Sequence, residues 1–461
     1  MDLKIDYLTD SAASRGAETR PADEPPSPQL CIRSRETAVR INVDSQPVST
    51  PVFAFVILVA AGFVSTPARA ADGGTCIGDI RQVVARRATP MMMKATLPKD
   101  LTAKVDAAAQ ASFAKAFTPG AVVGVRTPEG TWTAAYGMAD PKAGRPMTVA
   151  MHTRIGSVTK TFTGTVVMRL SQDHKLSLDD PIKKYVSGVP NGNSITLRQL
   201  ANMTSGVASY TRSAKFTDTY FAKPETVFTP DQLLKVGIAA SPLFPPGAQF
   251  DYSNTNTILL GMVIEKVTGK PVAEAFDAMV FKPLKLLNTS WPGQSTKMPE
   301  PYAEGFTLQG NFAKPDAPSN ATFWNPAWGW TAGELISNMD DLLTYGRALG
   351  TGQGLLNPDT QEERLKSIPG AAGYGIAIGC IDGWVGHTGE LPGYNTAVYY
   401  HAASDITVAV QTNSDIASGD CAESPTLAND PRDSVCSSPA TRIFAAITEA
   451  LGHKFTPIPA R

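Results

Sequence analysis

Arg154-Ile155-Gly156-Ser157-Val158-Thr159-Lys160-Thr161-Phe162 is the stretch on which the reading of this chain turns. From Ser157 to about residue 173, Phe162, Val166, Val167 and Leu170 recur at helical spacing, which predicts a helix with one apolar, largely buried face. Ser157 and Lys160 fall in its first turn, three residues apart, so their Cβ atoms share a face at about 5–6 Å. A serine hydroxyl is a weak nucleophile near neutral pH unless a neighbouring base takes its proton. A lysine in a dry site loses part of its basicity and can act as that base. The open N–H groups at a helix start also favour developing negative charge. A surface serine beside a solvated lysine is the bland alternative, and the apolar residues that follow argue against it.

Two further strings complete a serine acyl-transfer set that lacks a Ser-His-Asp triad. Tyr252 and Asn254 lie in Phe250-Asp-Tyr-Ser-Asn-Thr-Asn256, after the turn Pro245-Pro246-Gly247. A loop there would let a phenol that relays protons and an amide that fixes a substrate carbonyl project into one cleft; capping of the loop is the structural alternative. His387-Thr388-Gly389 reads as the end of a strand, with 390–393 as the turn. Such a strand edge can offer backbone N–H to an oxyanion, a contribution of about 3 kcal/mol or more. Gly389 is expected to admit the substrate close to the backbone, and His387 to bind a carboxylate or shuttle a proton.

Around these strings the pattern predicts an α+β arrangement. A helix is expected over 100–117, where Leu101, Val105, Ala109 and Phe113 recur every four residues. A hairpin follows, 120–126 with 131–136, joined by Thr-Pro-Glu-Gly. Residues 176–330 read as a mainly helical insert, with helical patches at 230–239 and 255–267. Strands return at 374–379, 384–388, 396–401 and 406–412, and a helix over 439–451 closes the chain. The two ends of the chain would thus build one antiparallel sheet flanked by N- and C-terminal helices.

The chain has 461 residues, 43% hydrophobic and 18% charged, with a formal net charge of −1. That balance describes a globular protein and gives no electrostatic case for nucleic acid or anionic membrane. With five His and no HExxH or CxxC spacing, no metal site or cofactor is expected. Residues 1–75 read as leader: an aperiodic stretch, then the thirteen-residue apolar run 52–64 and an A-x-A-like ending at Ala70. The segment 51–70 is taken as a secretory signal cleaved near Ala70, placing the protein in the cell envelope or outside the cell. A retained signal anchor, the one route to membrane attachment, or a short buried helix would be the alternatives, and the true start is expected downstream of Met1. Export would leave Cys76, Cys380, Cys421 and Cys436, for which three pairings exist. A local Cys421–Cys436 staple, worth about 3 kcal/mol, would leave Cys76 with Cys380; free buried thiols are the other possibility.

The quoted motifs, with Gly261-Met-Val-Ile-Glu-Lys-Val-Thr-Gly269 and Gly386-His-Thr-Gly389, resemble the serine β-lactamase-like hydrolases. That family comprises class C β-lactamases, secreted D-alanyl-D-alanine carboxypeptidases and related esterases. Leu178-Asp-Asp-Pro-Ile182 and Met203-Thr-Ser-Gly206 resemble its connecting segments, so the likeness covers about residues 98–452. The resemblance implies a β-lactamase/transpeptidase-like fold with the site between the sheet and a helical domain. It implies an acyl-enzyme on Ser157 with Lys160 and Tyr252 as proton-transfer partners. Asn254 would contact the substrate amide, His387, Thr388 and Gly389 would line the site, and the Ser157 and Glu390 backbone N–H groups would form the oxyanion hole.

Two departures bear on the substrate. Lactamases of the family usually carry Lys where His387 stands, so His resembles the carboxypeptidase branch and should give weaker, pH-sensitive carboxylate recognition. Glu390 replaces a small residue and would repel an anion if it faces the cleft. The expectation is an exported, monomeric D-alanyl-D-alanine carboxypeptidase acting on peptidoglycan stem peptides and acylated by β-lactams. A β-lactamase or promiscuous esterase is the enzymatic alternative, and a penicillin-sensing scaffold the non-enzymatic one.

Overall fold

The computed structural model describes residues 75–88, 95–370, 372–422 and 424–457. The expected leader, including its signal-like segment 51–70, lies outside them apart from Thr75. Eight strands form one antiparallel sheet: β1 (Gly120–Thr127), β2 (Gly130–Asp140), β3 (Arg145–Pro146), β4 (Ala372–Tyr374), β5 (Gly379–Ile381), β6 (Trp384–Leu391), β7 (Tyr394–His401) and β8 (Ile406–Thr412). Their spatial order is β3-β2-β1-β8-β7-β6-β5-β4, so the first and last thirds of the chain meet where β1 pairs with β8, Val123 opposite Val410.

Period-two alternation sends side chains to two different cores. Val123, Val125, Ala397, Tyr399, Val408 and Val410 join the layer formed with α1 (Lys99–Phe113) and the C-terminal helix Pro439–Ala450. Val122, Val398, Tyr400 and Ala409 face the other way, into the larger core. That core also holds α2 (Thr159–Gln172), α3 (Asn254–Thr268) and α4 (Met339–Thr351). Between α2 and residue 284 the chain runs largely through short helices and turns such as Leu197–Ala201, Ala214–Ala222 and Pro230–Gly237.

Several boundaries differ from the sequence reading for local reasons. α1 stops at Phe113 rather than 117: the Lys115 and Ala116 N–H groups bond back to the Ser112 and Phe113 carbonyls, tightening the chain into a turn that ends at Phe117 with φ 45°. The β1–β2 turn is only Pro128-Glu129, since Thr127 already pairs with Gly130. The stretch expected as one strand over 374–379 is two short strands, β4 and β5, separated by a turn in which Ala377 has φ 48°. β6 runs on to Leu391, opposite Tyr394, so Glu390 belongs to a strand and the turn is Pro392-Gly393.

α2 is buried on almost every side, not along a single face: eleven of its fourteen residues are buried, from Thr159 to Leu170. Three threonines tolerate this because their hydroxyls are satisfied locally or across the interface. Thr161 donates to the Val158 carbonyl at 2.7 Å, Thr165 to Thr161 at 2.8 Å and Thr163 to Thr331 at 2.7 Å. Two disulfides tie down the periphery: Cys76 is bonded to Cys380 on β5, and Cys421 to Cys436.

Candidate active site

Ser157 does not sit inside α2. It lies in the 3-10 turn Gly156–Val158 that leads into the helix, with Lys160 one turn on. That turn is pressed against β6. A Cβ added to Gly389 would lie 1.9 Å from the Ile155 carbonyl oxygen, and one added to Gly156, which has φ +51°, 2.4 Å from the Glu390 backbone nitrogen. Both glycines are therefore required by the contact itself. The close approach expected at Gly389 is made by the nucleophile's own turn, because strand and turn meet backbone to backbone. β6 pairs with β5 only from Trp384 to Gly386, so from His387 onward its outer edge leaves that ladder beside Ser157.

Lys160 Nζ lies 2.8 Å from Ser157 Oγ and donates to the Ala332 carbonyl at 2.7 Å. The side chain is fully buried, and among the described residues it forms no ion pair. Desolvation alone holds its pKa well below the ordinary lysine value. The amine stands 5.0 Å from the centre of the Tyr252 ring. Burial raises the Tyr252 phenol above its usual value, and a hydrogen bond with Ser157 works in the opposite sense. The two groups are thus driven apart: the amine toward its neutral, proton-accepting form and the phenol toward its protonated, proton-donating form.

His387 is buried and approached from both sides. Its Nδ1 is bonded to the Thr388 carbonyl, and its Nε2 lies 3.0 Å from the Tyr374 hydroxyl. With Nδ1 donating to that carbonyl, Nε2 accepts from the phenol. Burial, then the nearby Lys160, lower its pKa to about 3, so the imidazole is neutral throughout the physiological range. This corrects the expected pH-sensitive carboxylate recognition: the imidazole has no charge to offer. Asn254 is the first residue of α3, not part of a free loop, and its Nδ2 donates to Thr211 Oγ1 at 3.1 Å. It is absent from the lining of both cavities described next.

Ser157, Tyr252, His387, Thr388, Gly389 and Glu390 line a cavity of about 330 Å³, whose far wall includes Ser437, Thr441 and Phe455. A second cavity of about 580 Å³ shares Tyr252, Ile381, His387, Thr388 and Tyr399 with it and is also walled by Phe250 and Tyr374. Neither is lined by a Lys or Arg. Arg212 reaches the Tyr252 carbonyl at 3.3 Å, but its guanidinium is engaged by Asp251 at 2.8 Å. Tyr374 and Tyr399 stand in runs that the sequence marks only as strands, and Phe250 heads the loop string without a role of its own, so none of the three is singled out by sequence. Among the described residues, no group of three or more His, Cys, Asp or Glu side chains is placed to hold a metal ion.

Residues 105–429 match the family described as Beta-lactamase. A D-stereospecific amidohydrolase from Streptomyces sp. is similar in structure, with TM-score 0.61 and 34% identity over 68% of this chain and 94% of that one. A D-amino acid amidase from Ochrobactrum anthropi SV3 shares the fold, with TM-score 0.65 and 23% identity over 77% and 99% of the two chains. The provisionally named penicillin-binding protein PbpX of Bacillus subtilis (strain 168) is 25% identical over 293 residues, 63% of this chain and 69% of the relative. The chain belongs to the Beta-lactamase family of serine hydrolases, whose fold it shares with penicillin-binding proteins and D-amino acid amidases.

Proposed function

We propose that the protein is a serine amidohydrolase that forms an acyl-enzyme on Ser157, and that it favours D-configured amides without a carboxylate next to the scissile bond. One observation carries the chemistry: a fully buried amine with no ion partner, 2.8 Å from a serine hydroxyl. Lys160 accepts the Ser157 proton as the oxygen attacks the carbonyl. The backbone N–H groups of Ser157 and Glu390, on the two surfaces that meet at Gly156 and Gly389, receive the oxyanion. Tyr252, kept protonated by burial, passes a proton to the departing nitrogen as the carbonyl–nitrogen bond breaks. Water then attacks the ester along the reverse proton route and releases the acid and free Ser157.

The substrate class follows from the lining. An aromatic-walled cavity beside the nucleophile suits a large apolar side chain. A terminal carboxylate would meet a neutral imidazole and Glu390, with no Lys or Arg on either cavity wall. D-configuration is carried over from the amidohydrolase and amidase likenesses. Trimming of D-alanyl-D-alanine stem peptides, with β-lactams as acylating mimics, is the second reading. It is supported by the family and by the His387–Gly389 edge, and weakened by that missing cation. Action outside the cytoplasm, after removal of the leader near Ala70, agrees with two disulfides, which persist in oxidising compartments.

A fluorophosphonate should label the wild type on one site, and Ser157→Ala should remain unlabelled; equal labelling of both would reject the nucleophile. Ammonia release from D-phenylalanine amide, run beside D-Ala release from a diacyl-Lys-D-Ala-D-Ala peptide, ranks the two readings. Faster turnover of the peptide would overturn the first.

A further inference from the structure

We propose that the Glu390 carboxylate receives a primary ammonium on the acyl half of the substrate, so that the enzyme selects donors with a free amino group. This rests on the acyl-transfer reading of Ser157.

The placement of Glu390 is imposed by the fold. Gly389 and Gly156 hold β6 against the nucleophile turn, and Glu390 follows directly on that strand, lining the same cavity as Ser157. Its residue is exposed, so the carboxylate is accessible to a ligand. The protein supplies no cation to neutralise it: neither cavity is lined by Lys or Arg, and Lys160 is committed to Ser157 and the Ala332 carbonyl. What stands behind Glu390 is a second carboxylate. Gln309 Nε2 donates to Glu390 Oε1 at 3.3 Å and to Asp415 Oδ2 at 2.5 Å. Asp415 is itself buried and held by the Thr307 hydroxyl at 2.9 Å and the Gly393 N–H at 3.2 Å.

Desolvation, then the charge of Asp415, raises the Glu390 carboxyl above the ordinary carboxylate range, and desolvation raises Asp415; an incoming ammonium favours the ionised form of Glu390 against both. Covalent geometry supplies the rest. The α-nitrogen of an amino-acid amide is two bonds from the carbonyl carbon that Ser157 attacks. A residue whose backbone N–H faces the oxyanion therefore has its side chain within reach of that nitrogen. An acylated nitrogen has no charge to offer there, and an α-carboxylate would be repelled.

The test compares wild type and Glu390→Gln on D-phenylalanine amide and N-acetyl-D-phenylalanine amide, scored as the ratio of kcat/KM for the free over the acetylated substrate. That ratio should fall about tenfold or more in the variant, the factor one charge-assisted contact supplies, and most of the change should lie in KM for the free amine. A ratio unchanged by the substitution, or an equal loss on both substrates, overturns the proposal. If neither amide is cleaved, the amidase reading fails by itself, and the same ratio taken on the free and acetylated D-phenylalanine methyl esters still decides for or against Glu390.

Discussion

Lys160 on α2 and Arg347 on α4 are both buried basic side chains, 0% and 3% exposed, yet the molecule treats them in opposite ways. Arg347 is matched by a carboxylate: its Nε and Nη2 reach the two oxygens of Asp405 at 2.8 and 3.0 Å, in a bidentate pair. Lys160 has a serine hydroxyl and one backbone carbonyl, and no carboxylate. A charge in low dielectric survives if an opposite charge is fixed beside it; otherwise the group gives up its proton. The pairing at Arg347 makes a clamp between α4 and the β7–β8 turn. Withholding such a partner at Lys160 makes a base. Burial alone does not distinguish structure from catalysis at these two positions, whereas the counter-ion does. The contrast holds for an amine, since buried Arg364 also lacks a carboxylate but a guanidinium keeps its proton among the Ile376, Thr161 and Ala377 carbonyls and the Thr165 hydroxyl.

Removing the amine should produce the largest effect. Lys160→Met keeps the volume and is expected to cut kcat/KM by about 10² to 10⁴, the range for a lost general base. Its melting temperature should stay within a few degrees of wild type, because an apolar side chain suits the dry site. A collapse in stability comparable to breaking the Arg347 pair would show that Lys160 is structural after all.

The converse substitution is Asp405→Asn, which keeps the shape and the tolerance for the positive φ of 56° at this position. It leaves Arg347 buried and uncompensated, so unfolding by urea should show a loss of about 3–5 kcal/mol. Hydrolysis per folded molecule should be unaltered, since Asp405 lines neither cavity. An unfolding free energy equal to wild type would mean that the pair is replaceable by hydrogen bonds, and the contrast with Lys160 would lose its force.

The sequence shows one side of this contrast and conceals the other. Ser157 and Lys160 are legible because their spacing and the following apolar residues are local, and β8 is legible over 406–412 because its β-branched run is local. Arg347 and Asp405 are 58 residues apart, and nothing local announces their pairing. Long-range contacts also explain the misplaced strand near 376. Ile376 and Ala377 look like strand, but the Ile376 carbonyl accepts from buried Arg364 at 3.2 Å and the Ala377 N–H donates to Ala201 at 3.0 Å. Those partners bend the chain into a turn. At β6 the cause is local instead: its last residues are strand because the hairpin pairs Asn395 and Tyr394 with Glu390 and Leu391. Glu390 therefore enters the site from a strand, although Glu-Leu-Pro-Gly reads as a turn in the sequence.

The smallest expected effect extends the comparison from amines to imidazoles. His401 is buried against Ser404 and His453 with no carboxylate acting on it, and burial, then His453 and Arg86, lower its pKa to about 4. An unfolded histidine takes up a proton near 6.5. Between about pH 6.5 and 4 the unfolded chain thus binds a proton that the folded one refuses, and stability falls as pH falls, by up to about 1.4 kcal/mol per unit. Above pH 6.5 this contribution is constant. Urea unfolding at pH 7 and pH 5 should therefore show His401→Asn losing about 2 kcal/mol less than wild type over the interval. Identical losses would mean that His401 accepts its proton within the fold. A buried base without a counter-ion could then keep its charge here, and the inference that an unpartnered Lys160 is neutral would need support independent of burial.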